Sequence, residues 1–122
     1  MLTPANIRYL VVIGNLDKNC GGVRCVEIAD VLGVSKPSVH TMMKTLEGMN
    51  LVNKSRYGMV FLTSEGSAIA EICREYYDII FQHFQKDLQF ESSLAKSATY
   101  ALIAEIPLDK IKIMCKHITL NK

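Results

Sequence analysis

Residues 26–63 constrain this chain more than any other segment, because three different local patterns follow one another there without a break. Val26, Ile28, Ala29 and Leu32 mark one face of a short amphipathic helix. Gly33-Val34-Ser35 supplies a tight turn, after which Val39, Met42, Met43 and Leu46 fall on one face of a second helix. Two short apolar runs, 51–55 and 59–63, then flank Arg56-Tyr57-Gly58, where Gly58 suits a positive φ. Helix, turn, helix and hairpin in that order predict a winged helix-turn-helix. Such a unit can lay its second helix in a DNA major groove while the hairpin reaches the flanking backbone.

The rest of the chain reads as helical. Thr3-Pro4 places an N-cap and a first-turn proline before Ile7, Leu10, Val11 and Gly14, predicting a first helix to about Asp17. Residues 19–22 read as a loop. Ser35 should cap the recognition helix, with Pro37 in its first turn and its end between Gly48 and Asn50. Thr63-Ser64-Glu65-Gly66 opens a long helix to about Lys86, with Ile69, Ile72, Cys73, Tyr76, Ile80 and Phe84 at helical spacing. A fifth helix is expected over 93–104, with Leu94, Ala98, Ala101 and Leu102 inward. Pro107 opens a sixth over 108–117, with Ile111 and Met114 inward. The expected fold is mainly α: a winged helix-turn-helix DNA-binding domain of three helices and a two-stranded wing over 1–65, then a helical dimerisation domain over 66–122.

At 49% hydrophobic and 21% charged, the chain should fold rather than remain disordered. The net charge of +2 is unevenly spread: residues 1–60 hold seven Lys/Arg against four Asp/Glu, and residues 61–122 seven against eight. That favours a local phosphate contact over a polycationic coat. No apolar run is long enough to span a membrane and the start lacks a signal-peptide layout, so a cytoplasmic location is expected. Cys20, Cys25, Cys73 and Cys115 then read as reduced thiols. Zinc or redox chemistry at Cys20 and Cys25 is a weaker reading, because no second metal-ligand pair accompanies them and His83 and His117 lack the spacing. No Gly-rich phosphate loop, nucleophile elbow or H-E-x-x-H motif is present, and no enzyme activity is expected.

If Val39, Met42, Met43 and Leu46 face the core, the recognition helix turns Lys36, Ser38, His40, Thr41, Lys44 and Thr45 outward, with Ser35 at its cap. Small polar residues there can reach base edges, and the lysines suit phosphate or guanine. In the wing, Lys54, Ser55, Arg56 and Tyr57 can touch phosphate or the minor groove. Double-stranded DNA is the expected partner.

Ile28-Ala29, Leu32-Gly33-Val34, Pro37-Ser38-Val39, Met43, Leu46, Leu51-Val52, Tyr57 and Leu62-Thr63 with Gly66 resemble the diphtheria toxin repressor and manganese transport regulator family of bacterial metalloregulators. The resemblance covers residues 3 to about 90, and the short length is similar to the manganese regulator branch. It implies a homodimer that binds promoter DNA and represses metal-uptake genes when loaded with Mn²⁺ or Fe²⁺. The metal site does not carry over. The family's carboxylate positions on the first helix fall at Arg8 and Val11, and its histidine on the fourth helix at Tyr77. Its two carboxylates and histidine on the fifth helix fall at Lys96, Thr99 and Tyr100. Hard divalent ions need carboxylate or carbonyl oxygen, helped by imidazole, so no metal cofactor is expected there.

Arg8, Tyr77, Lys96 and Tyr100 could instead line a pocket for an anionic effector, or simply fill the space. Relocated metal ligands would come from His83, Asp87, Glu91 and Glu105. A second resemblance, to winged-helix regulators of the multiple-antibiotic-resistance type, implies an aromatic effector at a dimer junction. A protein-interaction module that has lost DNA binding is the remaining alternative.

Overall fold

The computed structural model describes residues 2–17, 21–55 and 57–121. Its elements run α1 (Pro4–Leu16), β1 (Val23–Arg24), α2 (Cys25–Leu32), α3 (Lys36–Gly48), β2 (Val52–Lys54), β3 (Met59–Leu62), α4 (Ser64–Gln82), α5 (Ser92–Glu105) and α6 (Leu108–Leu120). A π-helical turn, His83–Asp87, follows α4. The fold is mainly helical with a winged helix-turn-helix at its N-terminal side. Backbone packing separates two compact units: Tyr9–Glu71, and residues 2–8 with 72–121.

Local signals set the helix ends. Thr3 and Asn6 cap α1 reciprocally, each side chain accepting the other's backbone N–H at 3.1 and 3.0 Å. Glu27 accepts the Arg24 N–H at 3.1 Å and holds the start of α2. Gly33, at φ +66°, ends α2 in the left-handed conformation, and its N–H and that of Val34 both donate to the Ala29 carbonyl. Ser35 caps α3 by accepting the Ser38 N–H at 3.2 Å. The far end of α3 closes at Asn50, which takes φ +61°, while Leu51 N–H donates to the Leu46 carbonyl at 2.9 Å. Leu10, Val12, Ile13, Ile28, Val39, Met43, Leu46, Val52 and Val60 are fully buried and form the core of the Tyr9–Glu71 unit.

The sheet departs from a two-stranded wing. Val23–Arg24 adds a third antiparallel strand, in the order β1-β3-β2, with Val23 opposite Val60. A strand of two residues carries no alternation to read, so pairing alone defines it. The register between β2 and β3 places Lys54 opposite Val60 and Val52 opposite Leu62.

The second unit holds Cys73, Tyr77, Ile80, Ala95, Thr99, Tyr100, Ile103, Ile111 and Cys115 in its interior. Several inward faces differ from the expected ones. On α5 the buried residues are Ala95, Thr99, Tyr100 and Ile103, whereas Leu94 and Ala101 are exposed. Apolar residues surround this helix, so periodicity could not choose a face; the buried Thr99 hydroxyl is satisfied by the Ala95 carbonyl at 2.7 Å. Ile72 on α4 and Val26 on α2 are exposed as well. Helix α4 turns to π geometry at His83 rather than running as a regular helix to Lys86, and α6 extends to Leu120. Among the described residues no helix is long and apolar enough to cross a membrane.

Candidate nucleic-acid interface

Helix α3 buries Val39, Met43 and Leu46, leaves Met42 half-buried, and thereby fixes which side chains face out. Ser35, Lys36, Ser38, Thr41 and Lys44 are exposed and His40 is half-buried. These residues lie on one polar surface because the i, i+3, i+4 rows of the helix are shared between core and solvent. The short hydroxyls are partly engaged within the helix. Ser35 and Ser38 hydroxyls are 2.9 Å apart, and the Thr41 and Thr45 hydroxyls donate to the Pro37 and Thr41 carbonyls at 3.0 and 3.2 Å. Lys36 and Lys44 enter no hydrogen bond or ion pair with another described residue. They are the long cations this surface offers to a polyanion.

The wing turn is built by Ser55. Its N–H donates to the Met59 carbonyl at 2.8 Å, and its hydroxyl accepts from the Tyr57 and Met59 N–H groups at 3.3 Å each. Gly58, at φ +76°, completes the turn. Tyr57 stands 84% exposed at its tip. Arg56 lies outside the described residues. Lys54 differs from expectation: its ammonium Nζ sits 2.7 Å from His40 Nδ1, so it reaches the recognition helix. No sequence signal marked this pair, because residues fourteen apart meet only through the packing of the hairpin on α3.

The positions resembling family metal ligands hold a different chemistry. The Tyr77 and Tyr100 rings lie 4.9 Å apart, and Tyr77 stacks on Phe81 at 5.9 Å. Burial first, then the neighbouring Tyr100, pushes the Tyr77 hydroxyl well above its ordinary value, so it stays a neutral phenol. Thr99 is fully buried and donates to a backbone carbonyl, Lys96 is exposed, and Arg8 is half-buried. Two phenols, a committed hydroxyl and two cations are the wrong donor set for Mn²⁺ or Fe²⁺. Of the four residues considered for an effector pocket, the structure thus joins Tyr77 and Tyr100 by ring contact, while Lys96 is exposed to solvent.

Of the alternative metal ligands, His83 Nδ1 and Asp87 Oδ2 are 2.7 Å apart, while Glu91 and Glu105 are exposed at the two ends of α5. Among the described residues no group of three or more His, Cys, Asp or Glu is arranged to hold an ion. Cys25, Cys73 and Cys115 are buried free thiols; Cys20 lies outside the described residues.

Residues 1–60 match the family described as iron dependent repressor, N-terminal DNA binding domain. The transcriptional regulator MntR of Escherichia coli O157:H7 is 39% identical over 72 residues, which cover 59% of this chain and 46% of that protein. The matched segment thus spans about half the length of this relative. Among solved structures, T. acidophilum IdeR superposes with a TM-score of 0.71 at 16% identity, covering 93% of this chain and 53% of that one. The manganese regulator SloR gives 0.71 at 22% identity, covering 97% and 55%. At such identities the two structures show a shared fold.

Proposed function

We propose that this chain, whose residues 1–60 match the iron dependent repressor N-terminal DNA binding domain family, is a DNA-binding transcriptional regulator rather than an enzyme. One observation carries the reading: a capped recognition helix that presents Lys36 and Lys44, uncommitted, beside an exposed wing tip. Ser35, Ser38, His40 and Thr41 stand between and beside those cations, within reach of base edges. Lys36→Ala should weaken duplex binding and lower the salt slope by about one, the loss of one phosphate contact. Arg56→Ala should act in the same direction. Filter or anisotropy titrations across a salt series measure both, and unchanged affinity at low salt in both variants would exclude these residues from the interface.

The division into a DNA-binding domain over 1–65 and a dimerisation domain over 66–122 belongs to this proposal. So do the homodimer and the repressor role. A single helix-turn-helix reads few base pairs, so specific sites usually need two copies. The second unit exposes Ile72, Leu94, Ile113 and Leu120, apolar side chains that a partner copy would cover. We expect a two-fold dimer through residues 93–117, with the start of α1 contributing. Light scattering that finds a monomer at roughly tens of micromolar, where a stable interface should hold, would count against it.

The proposed regulator does not use Mn²⁺ or Fe²⁺ at the family position, given the donor set described above. Calorimetry with Mn²⁺ should show no binding, and duplex affinity should be the same with and without the ion. A second reading keeps metal control through a moved site. It is favoured by the bonded His83–Asp87 pair, which lines one surface pocket together with His117 and Asn121. Mn²⁺ binding abolished by changes at His83, Glu91 or Glu105 would establish that reading and overturn the metal-independent one.

A further inference from the structure

We propose that Lys54 is a positioning residue that fixes His40 as a hydrogen-bond donor to the N7 edge of a purine in the DNA major groove. The inference rests on the DNA-binding reading above and assigns one of its specificity contacts. The starting observation is the 2.7 Å separation between Lys54 Nζ and His40 Nδ1. A lysine ammonium has three donors and no acceptor. The contact therefore requires a lone pair on Nδ1, and the imidazole proton must sit on Nε2. Lys54 thus selects one of two tautomers that a free histidine would interchange. The neighbouring positive charge also polarises the ring and strengthens its Nε2–H as a donor.

Geometry sets what that donor can meet. Nδ1 and Nε2 diverge across the five-membered ring, so a ring whose Nδ1 faces the wing strand directs Nε2 away from it. His40 lies in the second turn of α3, near the end of a recognition helix that reads base edges. Lys36 and Lys44 lie one turn to either side on the same face, and their longer side chains suit the phosphates. The shorter imidazole is left for the groove floor. There purines present N7 as an acceptor, whereas cytosine presents only its N4 donor. A donor-only imidazole face should favour a purine and reject cytosine at one position. Half-burial of both His40 and Lys54 makes the pair more rigid than a pair of fully solvated side chains.

The test has two arms. In the free protein, imidazole ¹⁵N shifts, assigned by difference from His40→Ala, should show a bare Nδ1 and a protonated Nε2 for His40. Lys54→Met should return a mixture of tautomers, and Lys54→Arg, which keeps a donor, should restore the single form. Thermal unfolding confirms that each variant is folded. In the second arm, a randomised duplex pool is selected with the wild type, and the recovered duplex is resynthesised with 7-deazapurine at each purine in turn. One such replacement should cost the wild type about fivefold in affinity, as for loss of one hydrogen bond, and cost His40→Ala nothing. Lys54→Met should lose the same purine preference without change in salt slope. A lower salt slope in Lys54→Met with its base preference intact would make Lys54 a phosphate contact and overturn the inference. An unchanged His40 tautomer in Lys54→Met would overturn it equally. If the folded wild type retains no duplex at all, the proposed function falls and this inference with it; duplex binding indifferent to every 7-deaza replacement sinks the inference alone.

Discussion

Gly66→Ala should destabilise the protein by about 3 kcal/mol or more, the upper end of what overpacking against fixed backbone costs. Gly66 is buried in the first turn of α4, and a methyl group there would overlap the Leu51 carbonyl oxygen. That oxygen cannot swing aside as a side chain would, because it accepts the Thr63 N–H at 3.1 Å. The Thr63 hydroxyl in turn donates to the Asn50 carbonyl at 2.8 Å and accepts the Gly66 N–H at 3.0 Å. These bonds tie the start of α4 to the end of α3, so relief of the clash must break the junction behind the recognition helix. Gly48→Ala is the matched control. Nothing lies within 4 Å of a methyl group at Gly48, and Ala is the better helix former, so that change should be neutral or stabilise by up to about 1 kcal/mol. Urea titrations of the two variants measure the contrast. Equal midpoints would show that the junction yields easily and that the close approach at Leu51 is not what demands glycine.

Raising the pH into the alkaline range should also lower stability. Cys73 and Cys115 are both buried in the second unit, and burial pushes each thiol from 9.0 up to about 11. Below pH 9 the thiols are neutral in folded and unfolded chains alike, and the stability of the folded state is fully present. Between pH 9 and about 11 the unfolded chain loses thiol protons while the folded one keeps them, so stability falls as pH rises. At 1.4 kcal/mol per unit of pKa difference, each thiol should account for about 2 to 3 kcal/mol across that window. The buried Tyr77 phenol, raised by burial and by Tyr100, should add to the loss above pH 10 in the same sense. Urea midpoints measured from pH 8 to 11 give the slope, and the Cys73→Ala, Cys115→Ala double variant should flatten it. The slope is the readout, since each truncation also removes some packing. An equal slope in the double variant would place the alkaline sensitivity elsewhere.

The resemblance and the structure divide the metal question between them. Alignment with the family pattern puts Arg8, Val11, Tyr77, Lys96, Thr99 and Tyr100 at the ligand positions. Only the folded chain shows what two of the substitutes do: Tyr77 and Tyr100 pack ring against ring, which turns a polar niche into aromatic core. Burial together with the Tyr100 neighbour keeps the Tyr77 phenol neutral, and the packing bears on an anionic effector too. A ligand would have to separate rings already in contact, losing their burial and an aromatic interaction of about 1 kcal/mol.

Elements with a local cause are legible in the order of residues alone. Ser35 before Lys36-Pro37 sets the start of the recognition helix, Gly33 the turn before it, and Gly58 the wing, because each acts through its own backbone dihedrals or a bond three or four residues away. The 3.6-residue period of Val39, Met43 and Leu46 settles the buried face of α3, and with it Lys36 and Lys44 as the outward cations. Features that depend on a partner distant in the chain wait for the packed molecule. Val23–Arg24 is a strand only because Val60 and Met59 lie opposite. The buried face of α5 is open in the sequence, since Leu94, Ala98, Ala101 and Leu102 compete with Ala95, Tyr100 and Ile103 for the same interior, and only packing chooses between them. Lys54 reads as a free wing cation; the β2–β3 register and the docking of the hairpin on α3 bring it to His40 instead. Local propensity and capping are written in neighbouring residues, whereas a contact across fourteen residues is written in the fold that joins them.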